Sequence, residues 1–395
     1  MTLRTADSYK TRFNCQTEPL CRCYSPADNT KYGTINCSYM NLTSVPRFVP
    51  STVYITQVDL RNNNIRRVDA LAFVNLSLAS TVDIYLDENP IEVMDDMAFG
   101  GLHNNSVNLH LRSTQLKVSP KALTGFNNLY SLTTDLPLDS GISADLGSVK
   151  LLNLYNGSFG HALNGTCHFP NLEFLMMTYV SFPIYVSPFS QCTKPMTSLR
   201  YVSLYFTALP VVPNLGKLFP YLTGLSLRYD DVYALSTDIN LPNLTRLALS
   251  DNKLTSVPWL SSNFERLQKL DLSNNRISVI LSGSFSGLSH LTNLDLSGNP
   301  ISVIAEDAFK ATPKLNHFNL FQGEMTTVPR AIRHLTQLYI NVASNPIQCT
   351  CDLAWLHHAV TSWDIRISGF CQNAQHTIND YISLIVAYCQ VQPIG

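Results

Sequence analysis

Charge is scarce in this chain. Charged residues make up 14% of the 395 residues, and the formal net charge is −1. A nearly neutral chain lacks the strong electrostatic field of proteins that bind nucleic acids or anionic membranes. The densest basic cluster, Arg61, Arg66 and Arg67, is interpreted as part of a solvated edge. The composition therefore argues against nucleic acid as a partner.

Long apolar runs are also missing. Crossing a bilayer takes roughly 18 to 20 apolar residues, whereas the best run, YISLIVAYC at 381–389, is half that length. The N-terminal stretch MTLRTADSYKTRFN has no apolar signal-peptide core. We therefore expect neither a membrane segment nor a signal peptide in this chain.

The sequence patterns of catalysis are lacking as well. No glycine-rich phosphate loop, G-x-S-x-G elbow or H-E-x-x-H zinc motif occurs. The neighbouring His357 and His358 are expected on the solvent side of a helix, without a catalytic role. The prediction is a protein with no catalytic activity, no cofactor and no bound metal.

Cysteine, in contrast, is plentiful and clustered. The ten cysteines are Cys15, Cys21, Cys23, Cys37, Cys167, Cys192, Cys349, Cys351, Cys371 and Cys389. An even number, grouped at both ends of the chain, predicts disulfides and an oxidising compartment. Zinc is the alternative, but neither group has the paired C-x2-C spacing of common structural zinc sites. A Cys167–Cys192 bridge would stabilise by roughly 3 kcal/mol on the loop-entropy model.

Seven N-x-S/T sequons accompany the cysteines. They begin at Asn36, Asn41, Asn75, Asn104, Asn156, Asn164 and Asn243. Each sequon alone is a weak signal. Together with the cysteines, they predict a secreted or cell-surface glycoprotein.

One phrase recurs along the chain: LDLSNNRI at 270–277 returns as LDLSGNPI at 294–301. Clear copies of L-x-x-L-x-L-x-x-N-x-L, with other aliphatic residues allowed, lie at 55–65, 81–91, 222–232, 244–254, 267–277, 291–301 and 338–347. Weaker copies lie at 34–42, 107–116, 172–180, 199–209 and 315–325, with faint ones near Leu132 and Leu154. About fourteen units at intervals of roughly 20 to 27 residues indicate leucine-rich repeats.

The repeat has a physical explanation. The leucines of x-L-x-L-x fall on one face of a strand, because successive side chains alternate. One strand cannot bury that face alone, so strands must stack in parallel with return segments behind them. Phenylalanines of the returns are predicted to pack in the core: Phe73, Phe99, Phe126, Phe285 and Phe309. The ninth-position asparagines are predicted to satisfy backbone groups where each strand turns outward.

Both ends resemble the cysteine-rich caps of the extracellular leucine-rich-repeat superfamily. The N-terminal signature is C-x5-C-x-C-x13-C followed by MNLTSVPRFVPST, and the C-terminal one is NPIQCTCDLAWLHHAVTSW followed by Cys371 and Cys389. The chain is thereby similar to Toll-like receptors, variable lymphocyte receptors, Slit and Nogo-receptor ectodomains, and small matrix proteoglycans. The resemblance implies the pairs Cys15–Cys23, Cys21–Cys37, Cys349–Cys371 and Cys351–Cys389.

The predicted fold class is α/β: a leucine-rich-repeat solenoid, or horseshoe, of about 14 parallel strands on its concave face, with disulfide-bonded caps. We expect a disordered tail at 1–14, the N-terminal cap and first repeat at 15–53, repeats at 54–345 and the C-terminal cap at 346–395. In the C-terminal cap, Asp352 is predicted to cap a helix. The helix residues predicted to face the final repeat are Leu353, Leu356, Val360 and Trp363.

The asparagine ladder fails between residues 114 and 230. Thr114, Val180, Thr207 and Asp230 stand at the ninth position there. One explanation is repeats that have drifted and still pack. The other is a local change of curvature that exposes a binding surface, as the resemblance to Toll-like receptors implies.

Ligand-binding residues are predicted on the concave face, at the variable positions of x-L-x-L-x. The large side chains there are Tyr85, His110, Arg112, Tyr155, Phe174, Met176, Tyr201, Tyr205 and Arg228. Tyr, Met and Arg are enriched at binding hot spots, whereas the C-terminal strands carry small or charged residues such as Lys269 and Asp271. The alternative is that the aromatic rings stack on one another.

The solenoid, its caps and the sequons together predict an extracellular recognition module that binds a protein or a glycan. The resemblance favours a Toll-like or secreted innate-immune receptor ectodomain. A cell-adhesion, guidance or matrix protein is the alternative, an enzyme is remote, and homodimerisation stays open.

Overall fold

The computed structural model describes residues 10–13, 17–18, 21–29, 31–50, 52–76, 78–102, 104–112, 117–118, 123, 126–136, 146–156, 169–180, 192, 194–260, 262–384 and 389. The chain forms two compact units, residues 1–199 and 200–395. Within the described residues, no helix has both the length and the apolar character needed to cross a bilayer.

The regular secondary structure described in unit 1 is made of strands. They are β1 (Lys10–Arg12), β2 (Thr17–Glu18), β3 (Arg22–Pro26), β4 (Tyr32–Asn36), β5 (Arg47–Phe48), β6 (Tyr54–Asp59), β7 (Arg67–Val68), β8 (Leu78–Tyr85), β9 (Val93–Met94), β10 (Ser106–Leu111), β11 (Lys117–Val118), β12 (Leu129–Thr134), β13 (Leu151–Tyr155) and β14 (Phe174–Thr178). The longer strands β4, β6, β8, β10, β12, β13 and β14 pair in parallel in that order. In β10, Val107, Leu109 and Leu111 are fully buried while the residues between them are half-buried.

Behind these strands, the return segments of unit 1 form their own stack. The short strands β7, β9 and β11 pair in parallel. The rings of Phe73 and Phe99 stack with centroids 5.2 Å apart, and Phe99 stacks on Phe126 at 4.8 Å. The phenylalanines predicted from the returns therefore do pack in the core.

The N-terminal cap of unit 1 is antiparallel. β3 pairs with β4 and with β1, so Lys10–Arg12 is ordered as an edge strand and the predicted disordered tail is wrong at these residues. The pairing gives the backbone N–H and C=O groups of β3 a second partner strand. Cys21 is bonded to Cys37, and Cys23 is disulfide-bonded as well, while Cys15 lies outside the described residues.

Unit 2 repeats the same plan, and its described residues also include helices. Its strands are β15 (Tyr201–Tyr205), β16 (Val211–Val212), β17 (Gly224–Arg228), β18 (Ala234–Leu235), β19 (Arg246–Ala248), β20 (Lys269–Asp271), β21 (Val279–Ile280), β22 (Asn293–Asp295), β23 (Val303–Ile304), β24 (His317–Asn319), β25 (Tyr339–Asn341) and β26 (Arg366–Ser368). The helices are α1 (Trp355–Ser362) and α2 (Ile378–Leu384), with 3-10 turns at Ser262–Phe264, Arg330–His334 and Cys351–Leu353.

The long strands of unit 2, β15, β17, β19, β20, β22, β24, β25 and β26, pair in parallel in that order. Leu249, Leu272 and Leu296 are each at most 1% exposed. Among the described residues, seven parallel strands in unit 1 and eight in unit 2, the last of them in the cap, confirm the predicted leucine-rich-repeat solenoid.

The C-terminal cap covers the last strands of unit 2. Leu353 and Leu356 are fully buried, as predicted, whereas Val360 and Trp363 are half-buried. The predicted cap at Asp352 is wrong: Cys351–Leu353 forms a 3-10 turn first, and the Thr350 hydroxyl accepts from the Asp352 amide at 3.3 Å.

Two disulfides tie the C-terminal cap together, Cys349–Cys371 and Cys351–Cys389, the pairs that the resemblance implies. Cys192 in unit 1 is also disulfide-bonded, while its predicted partner Cys167 lies outside the described residues. None of the described cysteines carries a free thiol.

The buried asparagines form the predicted ladder. Asn275 is representative: its Nδ2 donates to the carbonyl oxygens of Leu249 and Leu272 at 2.9 and 3.0 Å, and its Oδ1 accepts from the Leu254 amide at 3.0 Å. The same pattern occurs at Asn63, Asn89, Asn252, Asn299 and Asn345. Each amide thus satisfies backbone groups of two successive repeats that no strand pairing reaches.

In unit 2 the ladder changes chemistry at Thr207 and Asp230. Both are fully buried, and Asp230 Oδ1 accepts from the Thr207 amide at 2.5 Å and from its hydroxyl at 2.8 Å. Asp230 Oδ2 has no partner among the described residues. This oxygen takes the place of the asparagine Nδ2 group, which donates hydrogen bonds in the regular repeats. The repeats that carry Thr207 and Asp230 in place of the ladder asparagine therefore still pack. Thr114 lies outside the described residues.

Burial raises the pKa of Asp230 to about 6, against the hydrogen bonds from Thr207 that lower it. Because the pKa is higher in the folded state than in the unfolded state, the protonated carboxyl is the form that folding favours. Its contribution to stability is complete below about pH 4 and is lost as the pH rises through about 6.

Replacing Asp230 with Asn is expected to raise the free energy of unfolding at pH 7.4 by about 1 to 3 kcal/mol, because the amide supplies a neutral donor in place of a buried carboxylate. Urea unfolding at pH 5.0 and 7.4 measures this. The wild type should be less stable at the higher pH, and the variant should lose that difference. The exposed neighbour Asp231, changed to Asn, serves as control; an equal effect there would contradict the assignment.

Candidate functional site

The variable residues of the repeats project from the face of each parallel sheet opposite to the leucines, here called the open face. In unit 1 this face carries six of the nine predicted ligand-binding residues. Tyr85 and His110 occupy paired positions on β8 and β10, and their rings stack with centroids 4.3 Å apart. Burial raises the pKa of the Tyr85 hydroxyl and lowers the pKa of the His110 imidazole.

Arginines on the open face of unit 1 are held by carboxylates. Arg61 makes a two-point contact with Asp59, at 2.9 and 2.6 Å, and its guanidinium lies 4.8 Å from the centre of the Tyr85 ring. This arrangement combines a charge-assisted pair with a cation–π contact, which fixes the orientation of both side chains.

The second arginine is arranged in the same way. Arg112 donates from Nε to Asp87 at 3.1 Å and lies 5.1 Å from the centre of the Tyr155 ring. The structure thus brings two predicted residues, Arg112 and Tyr155, into direct contact, and it holds Arg112 with a carboxylate that the sequence did not single out. Because Asp87 is buried, this arginine is anchored at its base.

Phe174 and Met176 are the exposed members of the unit 1 set. They are 41% and 38% exposed, and they pair with Leu151 and Asn153 of the neighbouring strand β13. The prediction of large exposed side chains holds for this pair. For Tyr85 and His110, the alternative of rings that stack on one another describes the geometry.

In unit 2, Tyr205 belongs to a three-ring cluster. Its ring meets Phe206 and Tyr229 edge-on, at 4.6 and 5.3 Å, and Phe206 stacks on Tyr229 at 4.8 Å. Phe206 and Tyr229 have φ values of 55° and 56°, a backbone region that is strained for bulky side chains. Sequence reasoning missed both residues; the signal was an aromatic at the repeat position where Asn274 stands elsewhere.

Arg228, the third predicted residue of unit 2, is positioned by two neighbouring strands. Its Nε donates to the Ser250 hydroxyl at 2.6 Å, and a terminal nitrogen lies 3.3 Å from Asp271. The guanidinium remains about half exposed. It can therefore still contact a ligand while its orientation is fixed.

Tyr201 borders a cavity of about 500 Å³ on the open face of unit 2. A side chain at Gly224 would meet the Tyr201 ring at 2.3 Å, so the ring lies over the bare backbone of β17. The cavity continues across β19, β20 and β22 to Tyr339 on β25. Sequence reasoning missed this site, because Arg246 and Lys269 are ordinary surface residues in the linear pattern.

In the described parts of either unit, no group of three or more His, Cys, Asp or Glu side chains is placed to hold a metal. His357 and His358 are exposed on α1, as predicted. His358 contacts Ser362 and the Trp363 ring within its own segment.

Comparison with known proteins agrees with this architecture. The family model "Leucine rich repeat" matches residues 242–301 and 289–347. Lumican of Bos taurus is 28% identical over 278 residues, which are 68% of this chain and 68% of lumican. Toll-like receptor 8 of Homo sapiens is 25% identical over 314 residues, 70% of this chain and 28% of the receptor.

Among solved structures, the complex of Toll-like receptor 13 with ssRNA13 superposes with a TM-score of 0.57 at 19% identity, covering 86% of this chain and 57% of the receptor chain. Identity this low shows the fold alone. Taken together, these findings show a leucine-rich-repeat protein that resembles lumican and the ectodomains of Toll-like receptors. The chain spans about two thirds of lumican and less than a third of Toll-like receptor 8.

His110 is expected to titrate below its ordinary pKa of 6.5, because burial disfavours the imidazolium. The contribution of the neutral His110 imidazole to folding stability is therefore complete above pH 6.5 and is lost as the pH falls through the lowered pKa. An NMR titration of labelled histidine measures the midpoint. Changing Tyr85 to Ala should uncover the ring and raise the midpoint toward 6.5; an unmoved midpoint would show that Tyr85 does not desolvate it.

Proposed function

We propose that this chain is an extracellular recognition module, the ligand-binding ectodomain of a Toll-like or secreted innate-immune receptor. It binds a protein or a glycan through the open faces of its parallel strands. Its role is recognition and not catalysis. The supporting chemistry is the concentration of Tyr, Met and Arg side chains there, residue types that dominate binding energy at interfaces.

The observation that carries the proposal is the open face of unit 2. A cavity of about 500 Å³ is within the range of small-ligand sites, roughly 300 to 1,000 Å³. The half-exposed Arg228 contacts the lining residue Asp271, and unit 2 also carries the exposed, strained aromatics Phe206 and Tyr229. Ordered polar groups and rigid rings lose little conformational freedom when a ligand binds.

A matrix or adhesion protein is the second candidate function. The match to lumican favours it, because that match covers 68% of both chains, whereas the match to Toll-like receptor 8 covers 28% of the receptor. The two candidates share extracellular location and recognition. They differ in the partner, which the capture experiment below identifies.

The exposure of its glycosylation sequons supports the extracellular location. Four sequon asparagines, Asn41, Asn75, Asn104 and Asn156, are exposed. Asn36 is half-buried, and Asn164 lies outside the described residues. At Asn243, the Nδ2 atom to which a sugar would attach donates instead to the Pro220 carbonyl at 2.9 Å.

We therefore expect glycans at the four exposed asparagines of the secreted protein and little or none at Asn243, because a sugar there would replace a hydrogen bond within the fold. Glycopeptide mass spectrometry measures the occupancy of each site. Occupancy at Asn243 equal to that at Asn75 would contradict this expectation.

Changing Tyr155, Tyr201 or Tyr205 to Ala, one at a time, is expected to weaken partner binding about tenfold or more, the loss typical of aromatic hot spots. The partner is first captured with the purified wild-type chain and identified, and its affinity for each variant is then measured by biolayer interferometry. Tyr233, which is 59% exposed ahead of β18, is the matched control. Unchanged affinity in all three folded variants would place the binding surface elsewhere.

A further inference from the structure

The cavity on the open face of unit 2 is lined by side chains in register on neighbouring strands. Its first row runs across the sheet through Tyr201, Arg246, Lys269, Asn293, His317 and Tyr339, with Gly224 in register between Tyr201 and Arg246. Two residues further along the strands, a second row includes Asp271, Asp295 and Asn341. The rows stand about 7 Å apart, the spacing of alternate residues on a strand.

The carboxylates of the second row are already occupied by groups of this chain. Asp295 accepts from the Ser297 amide and hydroxyl at 2.9 and 2.6 Å and from Asn319 Nδ2 at 3.1 Å. Asp271 accepts from the Ser273 amide and hydroxyl at 3.0 and 2.6 Å and faces Arg228 at 3.3 Å. These oxygens have little capacity left for a ligand's donors.

The cations of the first row have no such partner. Within the described residues, no carboxylate lies within 4.0 Å of the Arg246 or Lys269 side-chain nitrogens; Arg246 rests over the Tyr201 ring at 5.9 Å. The arginines of unit 1's open face differ, because Arg61 and Arg112 each contact a carboxylate. Strands β19 and β20 are neighbours, about 4.8 Å apart, so one anionic group can contact both cations.

Donor groups without a protein acceptor among the described residues also occur at asparagines of the two rows. In the described structure, the Nδ2 groups of Asn293 and Asn341 meet no protein acceptor, whereas their Oδ1 atoms accept from the Thr292 hydroxyl and the Ala343 amide. The cavity therefore presents donors in excess. A complementary ligand supplies oxygen acceptors, one of them anionic, between two tyrosine rings.

The charge pattern also limits how many anionic groups the ligand can carry. Asp271 and Asp295 lie one row from the cations, so a polymer with a negative charge on every unit would place some of those charges against carboxylates. That arrangement disfavours sulfated polymers and single-stranded nucleic acid. A ligand with one carboxylate and several hydroxyls meets the donors without this repulsion.

We propose that the cavity binds a saccharide carrying a single carboxylate, with Arg246 and Lys269 holding the carboxylate and the amides of Asn293 and Asn341 donating to its oxygens. This inference rests on the proposed recognition function and selects the glycan among its ligand classes. The cavity's donors fit the carboxylate of more than one sugar. A sialic acid and a uronic acid share the chemistry, and the experiment separates them.

The test measures binding of sialyllactose, a hyaluronan disaccharide and neutral lactose to the whole chain by NMR titration and calorimetry. We expect at least one carboxylated saccharide to bind at least tenfold more tightly than lactose. Changing Arg246 or Lys269 to Gln should each weaken that binding about tenfold. Both side chains are exposed, so the variants should fold. Arg366, in the same row beyond the cavity, changed to Gln, should bind as the wild type does.

Four results would overturn the inference. The first two are equal binding of lactose and the carboxylated saccharides, and binding unaffected by both Gln variants. The other two are tighter binding of heparin or an RNA oligonucleotide than of either saccharide, and absence of any saccharide binding at millimolar concentration. If changing Tyr201 to Ala still weakens binding of the captured partner in that case, the proposed recognition function is retained and only the saccharide is rejected as its ligand class.

Discussion

Burial of alternate aliphatic side chains is the constraint on which both units depend. Each strand contributes two or three such residues, as Val107, Leu109 and Leu111 do in β10, and full burial of each stabilises by roughly 1.5 to 3 kcal/mol. No strand can achieve this alone, so every repeat is stabilised by its neighbours. The turns that close each repeat would leave backbone amides and carbonyls in the interior without hydrogen-bond partners. The asparagine ladder, represented by Asn275, satisfies them with one side chain per repeat.

Because the core uses one face of each strand, the other face is free to carry recognition chemistry. The two units use it differently. In unit 1 the arginines contact carboxylates of the same chain: Arg61 contacts Asp59, and Arg112 contacts Asp87, each beside a tyrosine ring. The charges of these two arginines are therefore paired within the chain. In unit 2 the acceptors are satisfied while Arg246 and Lys269 are not, so this face retains capacity to bind.

Departures from the repeat pattern coincide with unusual chemistry. Phe206 and Tyr229 hold positive φ values at a position where polar residues such as Asp251 and Asn274 stand in most other repeats, and both rings reach solvent. One residue further along from Tyr229, Asp230 replaces the ladder amide with a buried carboxyl whose pKa is raised to about 6. Local rules that are broken within an otherwise consistent fold are more common at functional sites than elsewhere. The stable stack around these positions supplies the free energy that the strain costs.

The sequence by itself determined the period, the strand positions, the buried leucines, the phenylalanine stack and the two caps, because each follows from residues at fixed local spacing. It predicted Asp352 as a helix cap, although Asp352 lies in a 3-10 turn capped by Thr350. It also read Lys10–Arg12 as disordered. Edge pairing and 3-10 turns leave no local signature. Only the tertiary structure decided which open-face charges are paired. Whether Arg112 contacts Asp87, or Lys269 contacts no carboxylate, depends on side chains more than twenty residues apart that meet across strands. Alternation within one strand carries no information about such contacts.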